Sequence, residues 1–193
     1  MTIMPTLKIG IWNAWIMMLY FPIHPFIMIT LDKLIGVGEI TKKMKEAPFT
    51  RAEKKIFRTM MILLFLAFIY SIFLPLKLGT IWFYIGMPIY VLGLIMLIVA
   101  MINIVTTPHG QPFTKGAYRF SRHPMMFWGH IMHLGVSIAS ASLVFLLLSI
   151  MIAILYYYVV IAEERGCLEY YRDGYRDYMK RTPRWIGMPK SQL

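Results

Sequence analysis

Two polar clusters, forty residues apart, hold most of the residue types that could do chemistry in an otherwise apolar chain of 193 residues. The first ends at Arg122-His123-Pro124, which puts proline at the first position of a helix and histidine at its cap. Free backbone N–H groups and the positive end of the helix dipole then face an incoming ligand, and an anion or carboxylate suits that place. Upstream, Thr107-Pro108-His109-Gly110-Gln111-Pro112-Phe113 is too turn-rich for a helix interior or a strand. Its exposed backbone can hydrogen-bond a heterocycle, although by itself such a loop is a linker. The second cluster begins at Glu163-Glu164, two acids at the end of a long apolar run, where burial raises a carboxylate pKa unless cations or donors compensate. Five histidines invite a metal, with His130 and His133 three apart and His123 seven before His130. They are too few and too scattered for a di-iron cluster, since His24 and His109 lie on other elements, and no metal is expected. The single cysteine, Cys167, has no second thiol and reads as a small filler.

The elements that position these residues are membrane spans. Hydrophobic residues make up 59% and charged ones only 15%, a balance that excludes most soluble classes, and the net charge of +11 fits cytoplasmic loops beside anionic lipid better than nucleic acid. Apolar runs cover residues 9–31, 59–76, 81–105 and 124–162. The first reads as a span and not a removable leader, because it lacks a small-residue cleavage pattern and carries Pro22 and Pro25 around His24 as a kink. The last would measure roughly 58 Å as one helix, so the small polar run Ser137 to Ser142 turns it into a hairpin whose first arm is only about 20 Å long. The expectation is an all-α integral membrane protein of five transmembrane helices. It forms a single domain, residues 1–193, with three helices in 1–105 and the loop, hairpin and amphipathic tail in 106–193.

Lysine and arginine number eight in residues 32–58, three in 106–123 and seven in 163–193, so eighteen of the twenty fall on one side. The positive-inside rule then predicts a cytoplasmic C-terminus and an N-terminus outside, with Trp12, Trp15 and Trp82 near the opposite interface. Thr50 and Glu53 form a capping-box pattern that starts the second helix near Arg51, and Arg51, Lys54, Lys55 and Arg58 form a face toward lipid headgroups. In the tail, Leu168, Tyr171, Tyr175 and Tyr178 make one face of an amphipathic helix, with Gly174 a break; it reads as an interfacial helix on the membrane, compatible with closing a site. Folding the hairpin brings His123 and Glu163 within about one helix spacing, some 8–10 Å.

Taken together, Gly116-Ala117-Tyr118-Arg119-Phe120-Ser121-Arg122-His123-Pro124, Glu163-Glu164, Tyr175-Arg176-Asp177-Tyr178 and Arg181-Thr182-Pro183-Arg184 resemble the isoprenylcysteine carboxyl methyltransferase family, and a small archaeal five-helix member above all. The resemblance covers residues 108–184 and rests on the joint spacing. It implies an S-adenosyl-L-methionine-dependent methyltransferase whose cofactor enters from the cytosol and whose prenylated, lipid-like substrate enters from the bilayer. Carried over position by position, it implies a cofactor site of Gly110, Gln111, Pro112, Phe113, Tyr118, His123, Pro124, Met125, Met126 and Glu163, with His109 and Asn103 as weaker members and Arg122 and Glu163 positioning. The helix start would hold the methionine carboxylate, Glu163 its ammonium, and aromatic faces the sulfonium. The chain departs from the pattern at Val159, where eukaryotic members carry an arginine held to steer the substrate carboxylate. Methyl transfer to the carboxylate of a prenylated cysteine or similar isoprenoid acid is the expectation. The alternatives are a phospholipid amine N-methyltransferase and a non-enzymatic membrane transporter or assembly subunit, although the latter would more often show repeated halves and midplane charges.

Overall fold

The computed structural model describes residues 6–36, 49–108 and 110–189. The protein is an all-α integral membrane protein, and among the described residues there is no strand beyond an isolated bridge between Asn13 and Pro75. Its helices are α1 (Trp15–Met18) and α2 (Tyr20–Leu34), which follow one another as one span, then α3 (Arg51–Ile72), α4 (Ile81–Val105), α5 (Pro124–Ala139), α6 (Leu143–Tyr171) and α7 (Asp173–Arg181). A 3-10 turn, Gly116–Arg119, precedes α5. The first span, α3, α4 and α6 are each long and apolar enough to cross a bilayer. The sixteen residues of α5 reach only about 24 Å.

Two boundaries differ from the expected ones. The first apolar run is not helical from Ile9. Residues 8–14 are pinned to the loop after α3 by backbone bonds from Lys8 to Phe73 (3.0 Å) and Ala14 to Leu74 (2.8 Å) and by the Asn13 side chain on the Ile72 carbonyl (2.7 Å). Proline at 75 denies that loop a further helical turn and leaves its carbonyls free to pair. At the other end, α6 does not stop near Ala162 but continues to Tyr171, which puts Glu163 and Glu164 inside the helix.

The capping box is present: the Thr50 N–H donates to Glu53 Oε2 (2.8 Å) and the Glu53 N–H to Thr50 Oγ1 (3.3 Å). The hairpin turns where expected, α5 ending at Ala139 and Ser142 capping α6 through the Phe145 N–H (3.2 Å). Small residues let α4 and α5 pack backbone to backbone: a Cβ on Gly86 would lie 2.3 Å from the Ala139 nitrogen, and one on Gly135 2.7 Å from that of Tyr90. His24 caps nothing catalytic; its Nδ1 lies 3.4 Å from the Phe21 carbonyl within the Pro25-containing helix.

The chain breaks at Arg172, in a positive-φ conformation, and Gly174 sits inside the first turn of α7. Tyr175 and Tyr178, expected toward the membrane, are buried in protein. The apolar face of α7 packs on the segment before α5, where the Tyr178 hydroxyl reaches the Tyr118 and Ser121 carbonyls.

Candidate functional site

At one end of the bundle gather the 106–123 segment, the last turns of α6 and the tail, with Glu164 at their centre. Glu164 is 3% exposed. Its Oε1 accepts from Nε of Arg122 (2.9 Å) and Nε of Arg184 (3.1 Å), and its Oε2 from Nη2 of Arg184 (2.7 Å). Arg122 Nη2 lies 2.9 Å from the same Oε1, while its Nη1 donates to the carbonyls of Met179 (3.1 Å) and Thr182 (3.3 Å). One guanidinium thus joins the cap of α5, the end of α6 and the end of α7.

His123 sits between two acids. Its Nε2 is 3.3 Å from Glu164 Oε1 and its Nδ1 3.5 Å from Glu163 Oε2. Burial alone would lower the His123 pKa, but the two carboxylates outweigh it and hold the pKa above the usual 6.5. The two carboxylates thus favour the protonated ring, each facing one of its nitrogens. Glu163 remains about one-third exposed, so it is the acid of the pair that an incoming ligand can reach.

The tail closes over this place by specific bonds. The Tyr178 hydroxyl donates to the Tyr118 carbonyl (2.6 Å), and burial raises its pKa, keeping the phenol a donor. Backbone bonds run from Arg122 to Pro183 (3.0 Å) and from Gly187 to Phe120 (3.0 Å), and Ser121 Oγ donates to the Arg184 carbonyl (3.2 Å). On the other side, Asn103 Oδ1 accepts the Ala117 N–H (2.8 Å) and seats the 3-10 turn. Gly116, at φ +57°, allows the approach, since a Cβ there would lie 2.2 Å from Asn103 Oδ1.

Of the residues singled out in the sequence, the structure brings Arg122, His123 and Glu163 together, with Pro124 buried beneath them and Met125 and Met126 half-buried in the first turn of α5. Tyr118 is buried, and its ring centroid lies 5.6 Å from that of the half-buried Phe113. Gly110 and Gln111 stand exposed at the outer end of the loop, Pro112 is half-buried, and no contact among the described residues ties these three to the acids. His109 lies outside the described residues. Val159 is buried on α6, so that position offers no cation. Two members were missed as site residues: Glu164, the hub, and Arg184. The available signal was charge balance, because two arginines converging on a membrane boundary need a buried acid. Asn103 serves by holding the turn.

Residues 104–174, less than half of the chain, match the sequence model of a phospholipid methyltransferase family. That family falls in the same membrane methyltransferase superfamily as the isoprenylcysteine carboxyl methyltransferases. The matched stretch contains the cap of α5, the hairpin and both acids, and supports a membrane methyltransferase acting on lipid-like substrates. No curated protein matches the chain at a significant level.

Proposed function

We propose that the protein transfers a methyl group from S-adenosyl-L-methionine to a lipid acceptor at the cytosolic membrane face, with the N-terminus outside and the C-terminus in the cytoplasm. The observation that carries this reading is the cluster at the start of α5. A carboxylate about one-third exposed, Glu163, stands beside a helix N-terminus and an aromatic pair, in the part of the chain whose flanking segments 106–123 and 163–193 are rich in lysine and arginine. The donor set fits a zwitterionic cofactor bearing a sulfonium. Free N–H groups in the first turn of α5 suit its carboxylate, Glu163 its ammonium, and the Phe113 and Tyr118 rings its cation. When bound, the cofactor supplies an electrophilic methyl group, and positioning provides most of the acceleration. Arg122 and Glu164 hold His123 and Glu163 in place, and α7 with the 182–187 segment restricts water over the cluster.

Two acceptors are each favoured by an observation. Both ring nitrogens of His123 face carboxylates that favour its protonated form, a poor arrangement for a base, which favours an acceptor already ionised, such as the carboxylate of a prenylated cysteine. The phospholipid methyltransferase match and the absence of a cation at Val159 favour a phospholipid amine. Calorimetry with S-adenosylhomocysteine tests the cofactor: saturable binding is expected, and Glu163→Ala weakens it at least tenfold, because a hydrogen bond to a charged group is worth roughly 1.5–3 kcal/mol. No binding to the unmutated protein overturns the reading. Single-turnover methylation of N-acetyl farnesylcysteine and of phosphatidylethanolamine separates the acceptors. The carboxylate's rate is nearly flat from about pH 6 to 8, whereas an unassisted amine speeds up roughly tenfold per pH unit.

A further inference from the structure

A second polar cluster lies deeper in the bundle, outside the acid and arginine network. Tyr20 on α2 and His133 on α5 share a hydrogen bond of 2.6 Å between the phenol oxygen and Nε2, and His133 is 1% exposed. Nδ1 of His133, and Nδ1 of His130 one turn away, are buried with no hydrogen-bond partner among the described residues. Counting protons shows what is left over. If the phenol donates to Nε2, the neutral ring carries its hydrogen on Nδ1; if Nε2 donates, the phenol hydrogen is unplaced. In either tautomer one N–H or O–H donor remains in the buried interior, where an unmet donor is costly and calls for an acceptor.

There is room for one. Gly129 lies one turn from His133 on the same face of α5 and is buried, yet a Cβ there would meet nothing within 4 Å beyond its own stretch of helix. Gly86 and Gly135 at the α4–α5 contact are the opposite case, each closed off by backbone within 3 Å. The small residue at 129 therefore keeps space, not contact. Along α5 it lies about 9 Å from His123, and His133 about 15 Å, toward the bilayer interior.

We propose that the Tyr20–His133 pair and the space beside Gly129 form a subsite for a glycerol-based lipid, whose ester or ether oxygen accepts the leftover hydrogen while its head group stands at the His123–Glu163 cluster. An isoprenoid chain carries no oxygen at that depth. The subsite rests on the reading that the acceptor is a lipid, and it assigns that lipid's class. Water is the other source of an acceptor oxygen, so the test must separate the two.

Protein labelled with 15N-histidine, in detergent micelles, is titrated with dioleoyl phosphatidylethanolamine and separately with N-acetyl farnesylcysteine while the His133 Nδ1 resonance is followed, assigned by its loss in His133→Phe. The expected result is a saturable shift with the glycerolipid and none with the farnesyl compound. Gly129→Leu should weaken the lipid's apparent affinity at least tenfold, and Tyr20→Phe about three- to tenfold. A resonance that ignores the glycerolipid overturns the proposal and leaves water as the partner. An equal shift with the farnesyl compound overturns the oxygen assignment, and an unchanged lipid affinity in folded Gly129→Leu overturns the place. Should that variant not fold, the titration of the unmutated protein decides alone. S-adenosylhomocysteine calorimetry on the same sample distinguishes the two failures: saturable lipid binding without cofactor binding supports the subsite and overturns methyl transfer.

Discussion

Glu164→Gln removes a charge while keeping the shape, and the surroundings of that side chain allow its cost to be worked out. The carboxylate is 5% exposed and faces Arg122 at 9% and Arg184 at 29%. Stripping one partner from a buried ion pair costs about 3–5 kcal/mol, mostly because the remaining charge is stranded. Here the stranding is partial. Arg122 keeps the carbonyls of Met179 and Thr182, and Arg184 reaches water, so the expected loss lies at the low end, about 3 kcal/mol. Glu163→Gln provides the internal comparison. That acid is one-third exposed and meets His123 at 3.5 Å, a geometry worth at most about 1 kcal/mol. Reversible unfolding in mixed micelles near pH 6, followed by tryptophan fluorescence, measures both. Losses of similar size in the two variants, or a loss below about 1 kcal/mol for Glu164→Gln, would refute the division into a structural hub and a ligand-facing acid.

The His123 pKa is raised on folding, so its stabilising charge is fully present below about pH 6.5 and is lost as pH rises through the folded value. Unfolding free energy measured upward from pH 6 should fall in the unmutated protein and stay flatter in His123→Gln; identical slopes would contradict an imidazolium between the two acids. Gly116→Ala should cost at least about 1–2 kcal/mol from the left-handed backbone alone and more from the approach to Asn103, visible as a lower unfolding midpoint. For orientation, a reporter active only in the cytoplasm should work when fused after Leu193, and one active only outside should not.

Much of this was legible in the sequence because local chemistry decided it. Thr50 and Glu53 satisfy each other whatever packs against them, and Ser137 to Ser142 interrupts a run too long for one span. The His123–Glu163 meeting also followed, since a hairpin returns its ends to one face. What could not be read was set by tertiary contacts. Residues 8–14 are apolar enough for helix, yet they pair with carbonyls freed at the end of α3, partners about sixty residues away. The tyrosine face of α7 carries the same pattern whether it meets lipid or protein; only its fit over Tyr118 and Ser121 decides between them. Glu164 could not be told from Glu163 by type, because one residue along a helix turns the side chain by about 100° and so chooses core or ligand.

The unequal lengths of α5 and α6 shape the end of the bundle where the acids lie. A helix of sixteen residues reaches about 24 Å, less than the roughly 30 Å of hydrocarbon. Its far end is tied into the turn beside Lys77, whose N–H donates to the Ala139 carbonyl (2.9 Å). The neighbouring α6, at twenty-nine residues and about 43 Å, runs past it. Glu164, buried on α6 beside the cap of α5, needs cations to stay ionised. Arg122 comes from the cap itself. Arg184 has to come from elsewhere in the chain, and α7 folds back to deliver it. The same segment bonds across residues 118–122, so the cover over the cluster and the charge that stabilises it arrive together.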